Sequence, residues 1–193
     1  MVSKKLFDIP DRIETERLYL RGYKPGDGPM YFEVGQKNRE HLKRYESDNV
    51  LMSLSSEEEA ETMVRDLAAA AETGECLFIG VFDKETDEFV AQIYVGVVSR
   101  ELPEFNVGYI VDVDHEGRGY VTEAVKAALQ LLFAGFNAHR VSLECDETNS
   151  RSLKVAERCG FIREGFFREN KKNRDGSFGS TLHYAILRDE FAK

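Results

Sequence analysis

Residues 105–125 read Phe-Asn-Val-Gly-Tyr-Ile-Val-Asp-Val-Asp-His-Glu-Gly-Arg-Gly-Tyr-Val-Thr-Glu-Ala-Val. Val107, Tyr109, Val111 and Val113 alternate with other residues and are β-branched or aromatic, the pattern of a strand over 105–113. Asp114 to Gly119 is a polar turn containing Gly117 and Gly119. Beyond it, Val121, Ala124, Val125, Ala128, Leu131 and Leu132 recur at helical spacing, which predicts a helix to about Gly135. A strand thus passes through a Gly-x-Gly turn directly into a helix. Helix starts carry unpaired N–H groups and partial positive charge, so the junction suits an anion. Spacing excludes two nucleotide motifs. A Rossmann fingerprint needs a third glycine where Thr122 stands, and a P-loop needs Gly-Lys followed by Ser or Thr.

Around this junction the pattern is of one α/β domain spanning 1–193, with residues 1–12 as a loose arm. Ile13 to Tyr23 reads as the first strand, ended by Lys-Pro-Gly-Asp-Gly-Pro (24–29). Two short helices follow, Met30 to Lys37 and Asn38 to Tyr45. Ser55-Ser56-Glu57-Glu58-Glu59 is a helix-start signature, and that helix runs to Gly74. Strands at 77–82, 89–98 and 105–113 form an antiparallel meander. After the central helix come a strand at 139–145, a helix from Asn149 to Cys159 and a closing hairpin, 161–169 with 178–187, turning at 173–177. The sum is a mixed, mostly antiparallel sheet of about seven strands flanked by helices.

Composition narrows the setting. A net charge of −9 argues against general nucleic-acid binding and weakly favours cationic partners. Cys76, Cys145 and Cys159 are an odd number in apolar or strand-like contexts, with neither disulfide-scaffold nor zinc spacing, which points to reduced thiols in the cytoplasm. No apolar run approaches the roughly 20 residues that span a membrane, and no signal-peptide core is present. His41, His115, His139 and His183 lack metal-ligand spacing, and no metal is expected.

Gly-Tyr-Ile-Val (108–111) with Gly-Arg-Gly-Tyr-Val-Thr-Glu-Ala (117–124) resembles the acetyl-CoA motif of the GNAT N-acetyltransferase superfamily. Asn-Ser-Arg-Ser-Leu-Lys-Val-Ala-Glu-Arg-Cys-Gly-Phe-Ile-Arg-Glu-Gly (149–165) resembles that superfamily's next motif, best in its ribosomal-protein N-terminal acetyltransferase branch, and Glu-Thr-Glu-Arg-Leu-Tyr-Leu-Arg (14–21) agrees. The resemblance implies the GNAT fold and acetyl-CoA as co-substrate. It implies cofactor contacts at Val111, Val113, Gly117, Arg118, Gly119, Tyr120, Thr122, Asn149 and Ser152. The strand edge at Val111 and Val113 would bond the pantetheine arm, and Gly117 to Tyr120 the pyrophosphate. Asp114, His115 and Glu116 stand where the family usually has Gln or Arg, and Arg118 is the residue at hand to offset their charge.

Acetyl transfer to an amine also needs a proton for the departing thiolate and a neutral acceptor. Ser152 matches the serine proposed as that proton donor in the related branch, one helical turn after Asn149, which is itself a good N-cap. The resemblance makes Tyr31, Phe32, Arg44 and Tyr45 candidate acceptor contacts, with aromatic core packing the commoner role for any one of them. For the general base, Lys171 stands nearest the family's glutamate, with Glu169 two residues earlier and Glu104 before the strand; none is singled out. At pH 7 roughly a tenth of an α-amine is neutral, against well under a thousandth of a lysine side chain, so a weak base favours a protein N-terminus as acceptor. A small amine (polyamine, amino acid or antibiotic) is the alternative substrate, and a non-catalytic acyl-CoA-binding module the alternative function. The resemblance leaves room for a homodimer.

Overall fold

The computed structural model describes residues 9–46, 49–173 and 176–191. The first eight residues of the expected arm, and Arg174 and Asp175 of the expected 173–177 turn, lie outside them. One eight-stranded sheet runs in the order β1-β2-β3-β4-β5-β6-β8-β7. Its strands are β1 Ile13–Glu14, β2 Leu18–Gly22, β3 Cys76–Asp83, β4 Phe89–Ser99, β5 Glu104–Val111, β6 Arg140–Asp146, β7 Ile162–Lys172 and β8 Phe178–Leu187. The eighth strand arises because the expected 13–23 strand is a hairpin. Thr15 N–H bonds the Leu18 carbonyl at 2.9 Å, folding β1 back on β2.

The helices are α1 Gly28–Leu42, α2 Glu57–Thr73, α3 Tyr120–Gln130, α4 Ser150–Arg158 and the short α5 Arg188–Phe191. Where the sequence suggested two helices there is one continuous α1, since nothing at Lys37 or Asn38 breaks the backbone ladder. α2 follows its signature. Ser56 Oγ accepts the Glu59 N–H at 3.2 Å, Glu59 reaches back to Ser55, and Gly74 closes the helix at φ +72. The expected helix to Gly135 is present, but its last turn, Leu131–Gly135, widens to π geometry.

Strand alternation feeds two apolar layers. On β3, Leu77, Ile79 and Val81 face α3 and α4, joining Ile93, Val107, Val125, Leu129 and Leu143. Phe82 points the other way, with Tyr31, Val34, Val64 and Ile110 under α1 and α2. Tyr31 is fully buried and its hydroxyl donates to Gln92 at 3.1 Å, and Phe32 packs on the same layer. Both expected acceptor contacts are therefore packing residues. β7 is a free edge whose Phe166 and Phe167 stay exposed.

The sheet opens at its centre. β5 pairs with β4 along its length, yet meets the parallel β6 only at Glu104–Asn106 against Arg140–Ser142. Beyond those pairs the strands splay, leaving the 107–111 edge of β5 without a strand partner on that side among the described residues. Arg140 pins the closed end, bonding Glu104 at 2.9 Å and Glu164 of β7 at 2.8 Å. Among the described residues no helix is long and apolar enough to cross a membrane.

α1 and α2 meet closely. Glu61 of α2 accepts the N–H groups of Gly26 and Gly28 at 3.0–3.1 Å, and a Cβ on Gly28 would lie 2.7 Å from the Glu61 Cα. Because that neighbour is backbone, Gly28→Ala is expected to lower stability by about 1–3 kcal/mol. Urea unfolding measures this, and an unchanged midpoint contradicts the packing described.

Candidate active site

The splay opens into a cavity of about 500 Å³, a size that suits a small-molecule site. β5, the glycine turn, the first turns of α3 and α4, and the end of α1 wall it. Val111, Gly117, Gly119, Tyr120, Thr122, Asn149 and Ser152 all line it, as do Arg44 and Tyr45. Val113 and Arg118 are not in this lining.

Val113 is a correction. β5 ends at Val111, and Val113–His115 is a 3-10 turn. The Val113 N–H donates to Asn38 Oδ1 at 2.8 Å, so it is no strand edge. The cause is Asp112, whose carboxylate accepts the Asp114 N–H at 3.0 Å and ends the strand.

Asp112 is buried to 2% exposure and holds four partners. Lys37 Nζ and Asn38 Nδ2 of α1 each lie at 2.9 Å, and His115 Nδ1 and the Asp114 N–H at 3.0 Å. Burial pushes its pKa up, but the bonds from Lys37, Asn38 and His115 more than reverse this and hold the carboxyl below its ordinary range. α1 is thereby fastened to the turn before α3. Sequence reading missed this hub because it divided α1 between Lys37 and Asn38. Within one helix, residues 37, 38 and 41 share a face.

Gly117 (φ +74) and Gly119 (φ +79) take left-handed conformations that disfavour other residues. A Cβ on Gly117 would meet nothing within 4 Å, so the backbone borders open space, and Gly119 presents the first N–H groups of α3 to it. A phosphate fits such a cradle. The three acidic or titratable residues ahead of it are engaged, though not by Arg118. Asp114 pairs with Lys37 at 2.7 Å, His115 with Asp112, and Glu116 with Arg151 and with His41 at 3.4 Å.

A second clamp holds the other side of the turn. Glu123, in the first turn of α3, accepts the Thr15 hydroxyl at 2.6 Å, the Arg17 N–H at 2.9 Å and Arg17 Nε at 2.8 Å. Burial raises its pKa, and the Thr15 and Arg17 bonds outweigh that, leaving it lowered. Arg17 also donates to the Arg118 carbonyl at 2.9 Å and covers the Tyr120 ring at 4.7 Å. The Tyr120 hydroxyl is spent on Asp83 at 2.8 Å. Arg17 thus holds the Arg118 carbonyl while Asp83 holds the Tyr120 hydroxyl.

On α4, Asn149 caps the helix by accepting the Ser152 N–H at 3.2 Å. The Ser152 carbonyl accepts the half-buried Tyr109 hydroxyl at 3.2 Å, which anchors α4 to β5 inside the splay. Burial drives the Tyr109 pKa far up, so the hydroxyl stays a donor. The base candidates are not gathered here. Glu104 is tied to Arg140 at the closed end. Glu169 sits in a bulge at φ +51, and Lys171 Nζ donates to the Tyr45 carbonyl at 3.2 Å. Glu46, unforeseen from sequence, lines the cavity beside Tyr45 and Thr148. Burial pushes the Cys145 and Cys159 thiols up to about 12 and about 11, so neither is a nucleophile near neutrality.

A splayed β5–β6 pair facing a glycine-capped helix start is the arrangement in which the family resemblance seats acetyl-CoA. Residues 17–162 match the acetyltransferase (GNAT) domain family, and the chain belongs to that family. It is an acetyl-CoA-dependent N-acetyltransferase. An uncharacterized N-acetyltransferase, p20 of Bacillus licheniformis, is 23% identical over 94% of this chain and 99% of its own length. The ribosomal-protein-serine acetyltransferase of Escherichia coli (strain K12) is 26% identical, over 82% of this chain and 86% of that one. The fold matches a solved structure of RimL, a ribosomal L7/L12 alpha-N-protein acetyltransferase in complex with coenzyme A. The TM-score is 0.81 at 19% identity, covering 90% and 95% of the two chains.

At pH 7, Asp112→Asn is expected to cost about 3 kcal/mol, since it leaves Lys37 and His115 without their buried partner. The lowered carboxyl pKa stabilises the fold at neutral pH and loses that contribution as pH falls through it. The gap between variant and wild type should therefore narrow in acid. Thermal melts across pH measure it, and a gap that widens in acid contradicts the assignment.

Proposed function

We propose that this N-acetyltransferase modifies the α-amine of a protein N-terminus. The observation that carries the reading is the disposition of the candidate bases. Glu104 is tied off at the closed end, and Lys171 is a cation committed to the Tyr45 carbonyl. An acceptor already neutral in about a tenth of molecules at pH 7 suits such a groove better than a lysine side chain. RimL, an alpha-N-protein acetyltransferase, supports the same class of acceptor, and the ribosomal-protein-serine acetyltransferase of Escherichia coli supports a protein as acceptor.

In this reading the Gly117–Tyr120 backbone and the start of α3 hold the cofactor's phosphates, and the open edge of β5 holds its pantetheine arm. The amine nitrogen attacks the thioester carbonyl, a C–N bond forms as the C–S bond breaks, Ser152 Oγ gives its proton to the departing sulfur, and the proton shed by the nitrogen restores the serine hydroxyl directly or through water. Ser152 lies in the first turn of α4 with its N–H fixed by Asn149, which holds the residue at the cavity wall.

Free-thiol release with a panel of peptides tests the acceptor. Peptides with a free N-terminus should turn over faster than the same peptides blocked there and carrying only a lysine amine. The reverse order overturns the α-amine reading, a polyamine surpassing every peptide favours the small-amine alternative, and no thiol release from any amine favours the non-catalytic one. Ser152→Ala should lower kcat by on the order of 10²-fold with the KM for acetyl-CoA nearly unchanged. A folded variant with wild-type kcat removes Ser152 from the mechanism.

A further inference from the structure

Glu116 is the least expected residue of the glycine turn. Its carboxylate stands immediately before Gly117, at an anion-binding helix start, where a second anion repels a phosphate. It does not point away into solvent. One oxygen, Oε1, is shared between Arg151 of α4 and His41 of α1, at 3.4 Å from the latter, and the side chain is 22% exposed. All three residues line the cavity.

Arg151 is equally misplaced on its own helix. It is the second residue of α4, and the dipole disfavours a cation in a first turn. That turn contains no acidic residue to compensate it. Lys154 and Arg158, three and seven positions on, continue the same face and also line the cavity. A cationic helix face thus looks across the groove at the glycine turn, and the turn's own carboxylate occupies its first cation. Arginine's planar fork binds carboxylate and phosphate in the same bidentate way, so one can replace the other.

We propose that Glu116 is a place-holder for the cofactor's pyrophosphate. In the ligand-free protein it holds Arg151 over the groove, and on binding the pyrophosphate takes over Arg151 while Glu116 is released toward His41. The inference rests on the acetyl-CoA reading of the groove and assigns within it a phosphate ligand, Arg151, and its internal competitor. Removing a competitor should tighten binding, the opposite of what loss of a structural ion pair does.

The test is calorimetric titration of the ligand-free protein with CoA, dephospho-CoA and pantetheine. Wild type, Glu116→Gln, Arg151→Gln and the double variant are compared, each checked for folding by thermal melt. Glu116→Gln should bind CoA and dephospho-CoA roughly three- to tenfold more tightly, the scale of one partly exposed ion pair plus a relieved repulsion. Pantetheine, without phosphates, should bind unchanged. Arg151→Gln should weaken CoA, and in its background the gain from Glu116→Gln should shrink. Unchanged or weaker CoA binding by folded Glu116→Gln overturns the proposal, as does a gain of equal size without Arg151. A gain seen with CoA but lost with dephospho-CoA moves Arg151 to the 3′-phosphate and overturns the pyrophosphate assignment. Failure of the wild type to bind CoA at all would overturn the acetyl-CoA reading itself, and the exchange with it.

Discussion

Three residue pairs decide the architecture. Glu104–Asn106 and Arg140–Ser142 are the whole of the parallel contact between β5 and β6. A longer pairing would close the sheet and leave no groove, and a shorter one would let its halves separate. Arg140 makes so brief a contact sufficient by bonding Glu104 and Glu164 together, joining three strands at the closed end. At the open end Tyr109 spans the gap, its ring among core residues and its hydroxyl on α4. The groove is thus a deliberate failure of strand pairing, bounded by polar contacts at both ends.

Two buried or half-buried carboxylates then aim the glycine turn into that groove. Asp112 ties its leading side to α1, and Glu123 ties its trailing side to the β1–β2 hairpin. Both remain ionised because hydrogen bonds to the charged form outweigh desolvation. Glycine supplies the left-handed geometry at Gly117 and Gly119, but it is a loose residue, and the clamps fix what it permits. Binding is helped when such a turn is ordered before the ligand arrives, because less entropy is lost on contact.

Most of the fold was legible in the sequence because its signals are local. The Ser55/Ser56 start of α2, the Asn149 cap of α4 and the alternation along β5 each lie within a few neighbouring residues. The errors share one cause, competition from distant partners. Asp112 stops β5 before Val113 because Asn38 and Lys37 stand ready across the fold. α1 continues past Lys37, where local reading broke it. Tyr31 and Phe32, candidates for both acceptor contact and aromatic packing, are packing, and only the tertiary fold reveals which face of α1 meets the sheet. The groove residues carried by the glycine and Asn149 motifs were legible. Tyr109, Glu46, Arg151 and His41 were not, because their roles depend on positions brought together from three separate segments.

The Glu123 clamp has a consequence for synthesis of the chain. Its partners Arg17 and Thr15 are 106 and 108 positions away, and those of Asp112 are 74 and 75. At about 5–20 residues per second, the N-terminal hairpin emerges roughly 5–20 seconds before the carboxylate that will hold it. Throughout that interval Arg17 has no Glu123 to bind, and the glycine turn does not yet exist. The clamped turn can therefore form only after Glu123 has emerged, and a chain cut short before Glu123 has no means of assembling the clamp.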